Sequence, residues 1–425
     1  APMPAPRRIY LDNAATSFPK PPGVYESMLR YGVEIGASPG RGHYAESREG
    51  ARLVRRCRER LNTLFNGESA DAIVFTLNTS DALNLAIKGV VRARRLAHPG
   101  RRISLVTTAM DHNSVLRPYS ALADEGVEWI LVEADPDTGL VDPATVDAAI
   151  DADTALVAVN MASNVTGTIQ PVTAIGAVCR RRRVLYLVDA AQSAGHLPID
   201  VRAIGCDLLA FPGHKGLLGP QGTGGLYIRP GVEPLVATVR EGGTGSMSEV
   251  DAQPTTMPER YEAGSHNTIG IVGLSEGVRY LLDRTVDDVR LHEVALIRIM
   301  LAGVRAAGCR TAGDAPADAG PLAALRLLGP TEPEARVGTF SFVHDVLGAA
   351  EIAAMLETGF GILARAGLHC APHAHRTVGS LAGGAVRLSF GPSVTEADVH
   401  AAVDALTQVC ASDAELPRLA GAVRP

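Results

Sequence analysis

The stretch AFPGHKGLLGPQGTGG, residues 210–225, sets one lysine, Lys215, beside His214 among glycines and apolar residues. An ordinary lysine sits among other charges on a solvated face. Residues this small let a backbone or a ligand come close, so three roles compete for Lys215. It could be a surface lysine in a glycine-rich loop. It could bind phosphate, but the GxxxxGK[ST] pattern of a nucleotide-binding P-loop is absent. Or its amine could condense with a carbonyl, which requires partial desolvation and an open approach.

Other residues bear on that choice. Asp189 ends the apolar run VLYLVD and continues into AAQSAGH, 26 residues before Lys215. A carboxylate at the end of a buried strand needs a cation or hydrogen-bond donors; capping a helix is the plainer role. Thr79 and Ser80, in TLNTSDALNLAIKG, stand where a strand turns into a helix. Hydroxyls and free backbone N–H groups there can cradle a phosphate, although such residues commonly serve only as caps. His112, in TTAMDHNSV, could lie flat on an aromatic ring or be a solvated loop histidine. Cys370, in RAGLHCAP, has His369 beside it and Arg365 nearby, and basic neighbours favour the nucleophilic thiolate. Cys57, Cys179, Cys206, Cys309 and Cys410 read as small buried hydrophobes. No two cysteines have CxxC spacing, and six in so long a chain are too sparse for a disulfide framework.

The elements that must position these residues are short apolar strands alternating with helical patterns. Strands are expected at 72–76, 103–108, 127–132, 155–160, 184–189, 207–211 and 224–228, with helices such as 80–93 and 171–182 between them. That alternation argues for an α/β fold whose largely parallel sheet is covered on both faces. Ligands then gather at the carboxyl ends of the strands, where the stretches above fall. After about residue 283 the texture changes to a helix (287–308), a stretch at 311–338 that reads as surface loop or weakly paired structure, a strand (339–343), a helix (GAAEIAAMLE), a strand (385–390) and a closing helix. We therefore expect a large domain over 18–283, and a smaller α+β domain built from 1–17 together with 284–425.

Composition excludes other classes. The chain has 425 residues, 46% of them hydrophobic, and a net charge of −6 from 40 basic and 46 acidic side chains. A sizeable core is available, and no electrostatic case exists for nucleic acid or an anionic membrane as partner. The runs at Arg92–Arg102 and Arg180–Arg183 read as helix C-terminal ends, where cations complement the dipole. No apolar run approaches the ~18 residues of a membrane span, and the expected setting is the reducing cytoplasm.

Taken together, YLDNAATS (10–17), DHNS, NMASNVTGT (160–168), LVDAAQSAGH (187–196), GHKGLLGPQGTGGLYI (213–228), YEAGSHNTIGI (261–271), RAGLHCAPHAH (365–375) and VRLSF (386–390) resemble the class V aminotransferases, and within them the cysteine desulfurase and selenocysteine lyase group. The resemblance implies the fold of type I pyridoxal 5'-phosphate enzymes and a homodimer holding that cofactor through Lys215. It further implies that His214 lies near the phosphate with Thr79 and Ser80, that Asp189 partners the ring nitrogen, and that Gln192 donates to the ring oxygen. His112 would stack on the ring and Ser265 would reach the phosphate of the neighbouring subunit. Asn164 and Arg387, with Arg365 nearby, would hold a substrate carboxylate. Catalysis would rest on Lys215, His112 and Cys370, the last carrying sulfur from L-cysteine as a persulfide to an acceptor protein. Pro212 departs from the pattern, standing where relatives commonly carry a hydroxyl near the phosphate. Selenocysteine lyase, another C–S lyase, a plain aminotransferase and a non-catalytic sulfur carrier are the competing readings; only the sulfur chemistries give Cys370 a task.

Overall fold

The structure is a computed structural model and describes residues 7–40, 42–247, 249–314 and 320–411. Its strands are β1 (Ile9–Tyr10), β2 (Ile73–Thr76), β3 (Ser104–Thr108), β4 (Glu128–Val132), β5 (Thr154–Asn160), β6 (Leu185–Asp189), β7 (Leu208–Pro212), β8 (Gly224–Ile228), β9 (Leu325–Leu327), β10 (Thr339–His344), β11 (Ile362–Leu363), β12 (Arg365–Gly367) and β13 (Ala385–Ser389). Seven of them form one sheet in the order β2-β8-β7-β6-β5-β3-β4. All neighbours in it are parallel except β8, which runs antiparallel to both β2 and β7.

Strand side chains alternate between the two faces, and here both faces are covered. Val157, Val159, Tyr186, Val188 and Leu209 pack beneath the helices Ala45–Leu64, Val172–Arg182 and Thr268–Arg284. Leu156, Ala158, Leu187, Leu208 and Ala210 pack beneath Thr79–Ala97 and Asn113–Ala123. Two-sided burial is why these strands read as continuous apolar runs. The sheet also fixes the loop of interest. Pro212 at the end of β7 pairs with Gly224 at the start of β8, so residues 213–223 form an excursion whose two ends are pinned together.

A second sheet, β12-β13-β10-β9, is antiparallel. Its core includes Phe340, Phe342, Val386 and Leu388 under the helices Val286–Ala306, Ala349–Phe360 and Glu396–Ala411. The N-terminal segment joins it: β1 pairs with β11, Asp12 bridges to Ser389, and Leu11 lies in the same core. The stretch 311–338, expected as surface loop or weakly paired structure, holds one short strand among its described residues. Leu325 and Leu327 are buried in that core, and β9 takes an edge position because its Leu-Arg-Leu alternation suits a strand with one covered face. No described helix is long and apolar enough to cross a membrane.

Between the two sheets lies a buried carboxylate. Glu293 accepts from Gly338 N at 2.9 Å, faces His196 Nδ1 at 2.9 Å and pairs with Arg290 at 2.8 Å. These partners hold its pKa below the usual value although burial alone would raise it. Glu293→Ala leaves the surrounding donors unpaired, and we expect a loss of about 3 kcal/mol in unfolding free energy. Guanidinium unfolding of the variant beside the parent measures it.

Candidate active site

The C-terminal ends of β5, β6 and β7 align, with Asn160 opposite Asp189 and Asp189 opposite Ala210. Asp189 accepts one hydrogen bond, at Oδ1 from Ala191 N at 2.9 Å. Burial pushes its pKa up to about 6, against that bond and the attraction of Lys215. The loop after Asp189 and the lysine loop meet backbone to backbone. A Cβ on Gly216 would lie 2.2 Å from Ala194 O, and one on Gly195 2.1 Å from Gly216 O. Only glycine admits that approach, which sets Lys215 beside the end of β6.

Lys215 Nζ makes no hydrogen bond and no ion pair with the described residues. Burial lowers its pKa to about 8; Asp189 opposes the shift, and Arg387 and Arg365 add to it. The N-terminal segment braces the loop from outside. Ser17 Oγ donates to Lys215 O at 2.8 Å, and Thr16 Oγ1 and Lys20 Nζ donate to His214 O at 3.0 and 2.7 Å.

Thr79, Ser80, His112 and Asn164 line one cleft with Asp189, Gln192, His214 and Lys215. The cap of the helix Thr79–Ala97 is Asn78, whose side chain accepts from Asp81 N at 3.0 Å, so Thr79 and Ser80 are its first helical residues. Ser80 and Ser114 share a hydrogen bond of 2.7 Å. His112 also caps a helix: its Nδ1 accepts from Ser114 N at 3.0 Å. That bond assigns the ring proton to Nε2 and fixes the ring plane. Burial, reinforced by Lys215, lowers the His112 pKa to about 4 and keeps the ring neutral.

These groups fit pyridoxal 5'-phosphate. At one end are a helix N-terminus, the Ser80 hydroxyl and a buried His214 Nδ1 with no hydrogen-bond partner, a set that suits an anion. At the other are a carboxylate with one oxygen unengaged, for a ring nitrogen, and an unpaired amine, for an aldehyde. Pro212 is buried at the end of β7 and offers no hydroxyl, but Ser114 lines the cleft and supplies one. Gln192 Nε2 is held by Ala14 O at 3.1 Å.

Two of the three residues expected to hold a substrate carboxylate come from the other sheet. Arg365 and Arg387 are directly paired across β12 and β13. Arg387 is buried and bonded to Asp12 Oδ1 at 2.8 Å and Asn164 O at 3.2 Å, whereas Arg365 has no ion pair with the described residues. Asn164 Nδ2 donates to His369 O at 2.7 Å, so it is already tied to the cysteine's loop. Cys370 is exposed, unlike the other five cysteines. Its carbonyl accepts from Asn113 N at 2.8 Å, which brings the loop beside His112. Burial pushes the pKa of Cys57, Cys179, Cys206 and Cys309 up to about 12.

His369 corrects one expectation. It is buried, with its pKa pushed down to about 3 by burial and by Arg387, so it is a neutral ring and lends Cys370 no positive charge. Ser265 is exposed and lies outside the cleft. Its loop is anchored by Glu262, which binds Arg58 at 2.6 Å and His266 at 3.1 Å. The residues that sequence reasoning passed over are Asp12, Asn78, Ser114 and Asn160. Each stands within a stretch that carried chosen residues or motif resemblance, Asp12 in YLDNAATS, Asn78 in TLNTSDALNLAIKG, Ser114 in DHNS and Asn160 in NMASNVTGT, but no residue type or spacing there singled it out.

Comparison with known proteins places this arrangement. The aminotransferase class-V family model matches residues 9–402. A probable cysteine desulfurase of Methanothermobacter thermautotrophicus is 34% identical over 405 residues, 94% of each chain. A cysteine desulfurase of Yersinia pestis is 32% identical over 370 residues, 85% of this chain and 84% of its own. The apo structure of a cysteine desulfurase from Thermococcus onnurineus superposes with a TM-score of 0.85 at 30% identity, covering 95% of this chain and 94% of that one.

The electrostatics of Lys215 can be read directly. In the cofactor-free chain the reactive, deprotonated amine should accumulate as pH rises through about 8 rather than 10.5. Because the Asp189 charge raises the Lys215 pKa, Asp189→Asn should move that midpoint to lower pH. Peptide mapping of Lys215 after timed amine labelling across pH 6–11 measures both.

Proposed function

The chain belongs to the aminotransferase class-V family, and from that membership we propose that it is a cysteine desulfurase that takes sulfur from L-cysteine onto Cys370 and releases alanine. The observation that carries the reading is the placement of the one exposed cysteine. It is hydrogen-bonded through its backbone to Asn113, at the rim of the cleft that holds the unpaired amine of Lys215.

Pyridoxal 5'-phosphate, when bound, supplies an electron-withdrawing ring and the carbonyl that captures the substrate amine. Thr79, Ser80 and His214 would hold its phosphate, Asp189 would partner the ring nitrogen, Gln192 would donate to the ring oxygen, and the neutral His112 would stack on the ring. Lys215, its pKa lowered to about 8, is a base of suitable strength to move the proton at the substrate Cα. Arg387 and Arg365, with Asn164, hold the substrate carboxylate; a guanidinium matches it with two parallel donors. The Cys370 thiolate then attacks the substrate sulfur. A sulfur–sulfur bond forms as Cβ–S breaks, the electron pair returns to the carbon skeleton, and protonation there releases alanine. One thiol and one cysteine thus give one persulfide and one alanine, with no external reductant.

An exposed Cys370 suits delivery of the persulfide to an acceptor protein, and six sparse cysteines without CxxC spacing suit a reducing cytoplasm. The active unit we propose is a homodimer. Tyr25, Leu29 and Val33 recur every four residues as an exposed apolar stripe, with Ile269 exposed on the adjoining helix. Ser265 lies just before that helix, and in such a dimer it would reach the site of the second copy.

Cys370→Ala should still exchange the Cα proton of L-cysteine, while alanine release falls about 10³-fold, equivalent to about 4 kcal/mol of barrier. Near-normal alanine release from that variant would sink the reading. Lys215→Ala should lose exchange and release together. Mixed dimers of Lys215→Ala with Ser265→Ala chains place both defects in one site and leave the other intact, so activity should reappear on subunit exchange. Continued inactivity despite confirmed exchange would rule out the shared site.

A further inference from the structure

The loop that carries Cys370 is held in a costly shape. His369 and Cys370 have φ of +49° and +56°, two successive non-glycine residues in the left-handed region. Such a pair persists only where its surroundings over-determine it. The backbone supplies two restraints, Asn164 Nδ2 to His369 O at 2.7 Å and Asn113 N to Cys370 O at 2.8 Å.

A third restraint runs through side chains beneath the loop. His369 Nδ1 and His375 Nε2 are 3.2 Å apart, and His375 Nδ1 and Ser380 Oγ are 2.7 Å apart. The far nitrogen of His369, Nε2, faces Arg365 O at 3.4 Å. A carbonyl only accepts, so Nε2 of His369 carries its proton. Its Nδ1 then accepts from His375 Nε2–H, and His375 Nδ1 accepts from the Ser380 hydroxyl. All four ring nitrogens are engaged and the bonds run one way, from Ser380 through two imidazoles to the β12 backbone. Both rings are fully buried or nearly so, with planes 24° apart. Burial keeps each neutral, as a relay with one proton per ring requires.

We propose that His375 and Ser380 are positioning residues for sulfur transfer: through His369 they hold the strained Cys370 loop, and the Arg365 strand beside it, in the geometry the transfer needs. Neither side chain lines the cleft. Without His375, His369 Nδ1 loses its donor, the ring can turn, and the loop can relax toward ordinary backbone angles that carry Sγ away. The inference rests on the reading of Cys370 as sulfur acceptor.

The test uses the holoenzyme and the variants His375→Ala, His375→Gln and Ser380→Ala. Two rates are measured in each: Cα hydrogen exchange of L-cysteine in deuterated buffer, and alanine release. Exchange should stay within about twofold of the parent. Alanine release should fall at least tenfold in His375→Ala and severalfold in Ser380→Ala. His375→Gln, whose amide N–H can still reach His369 Nδ1, should recover most of the loss. Unchanged release overturns the proposal, as does a parallel fall of exchange and release, which marks general damage. If His375→Ala does not fold, Ser380→Ala decides on the same two rates. Cys370→Ala run alongside separates the failures. If it retains alanine release, the reading of Cys370 falls and this inference with it; if it loses release while the His375 and Ser380 variants keep theirs, the relay alone is overturned.

Discussion

Asp189 and Lys215 share a buried cleft without forming an ion pair, and much of the structure follows from that. Burial drives both toward their neutral forms, to about 6 for the acid and about 8 for the amine, and their mutual attraction offsets only part of it. Two groups left this way are a standing cost to the fold. A ligand with a basic ring nitrogen at one end and a carbonyl at the other relieves both. The sheet makes the arrangement possible, since Asp189 ends a buried parallel strand and Lys215 sits on an excursion whose ends are clamped across an antiparallel pair. Loose loops would let the two groups collapse into a direct salt bridge.

The groups around the cleft come from different parts of the chain, and the N-terminal segment links them. Asp12 bridges to Ser389 and binds Arg387 on the second sheet. A few residues on, Thr16 and Ser17 donate to the carbonyls of His214 and Lys215. One short stretch therefore ties the lysine loop to the strand of Arg387. Group transfer depends on ångström-scale placement of several residues at once, so a shared brace matters more here than its own buried area would suggest.

What the sequence revealed depends on the range of the interaction. The parallel strands were legible because two-sided burial writes continuous apolar runs, and Lys215, Asp189 and Thr79 because each sits where such a run ends. Strand β9 was legible only as weakly paired structure because three residues give too short an alternation to stand out within an Ala/Pro/Gly-rich stretch. Glu293 was missed because two of its three partners, His196 and the Gly338 amide, are distant in sequence. The charge state of His369 was misread for a related reason: adjacency to Cys370 says nothing about which way a side chain turns. Here the ring turns inward and titrates as a buried imidazole.

The same distinction bears on the paired arginines. Arg365 and Arg387 face each other across β12 and β13, and two cations in direct register repel. Asp12 relieves one of them by binding Arg387, while Arg365 has no acidic partner among the described residues. Both lower the Lys215 pKa, so the positive field at this end of the cleft makes the amine a weaker base than Asp189 alone would leave it. In the proposed reaction an arriving carboxylate would cancel that residual charge. Its binding should therefore raise the basicity of Lys215 as it places the Cα proton within reach. Recognition of the substrate and strengthening of the base then become one electrostatic event, with Asp12 setting how much positive charge is left for the substrate to neutralise.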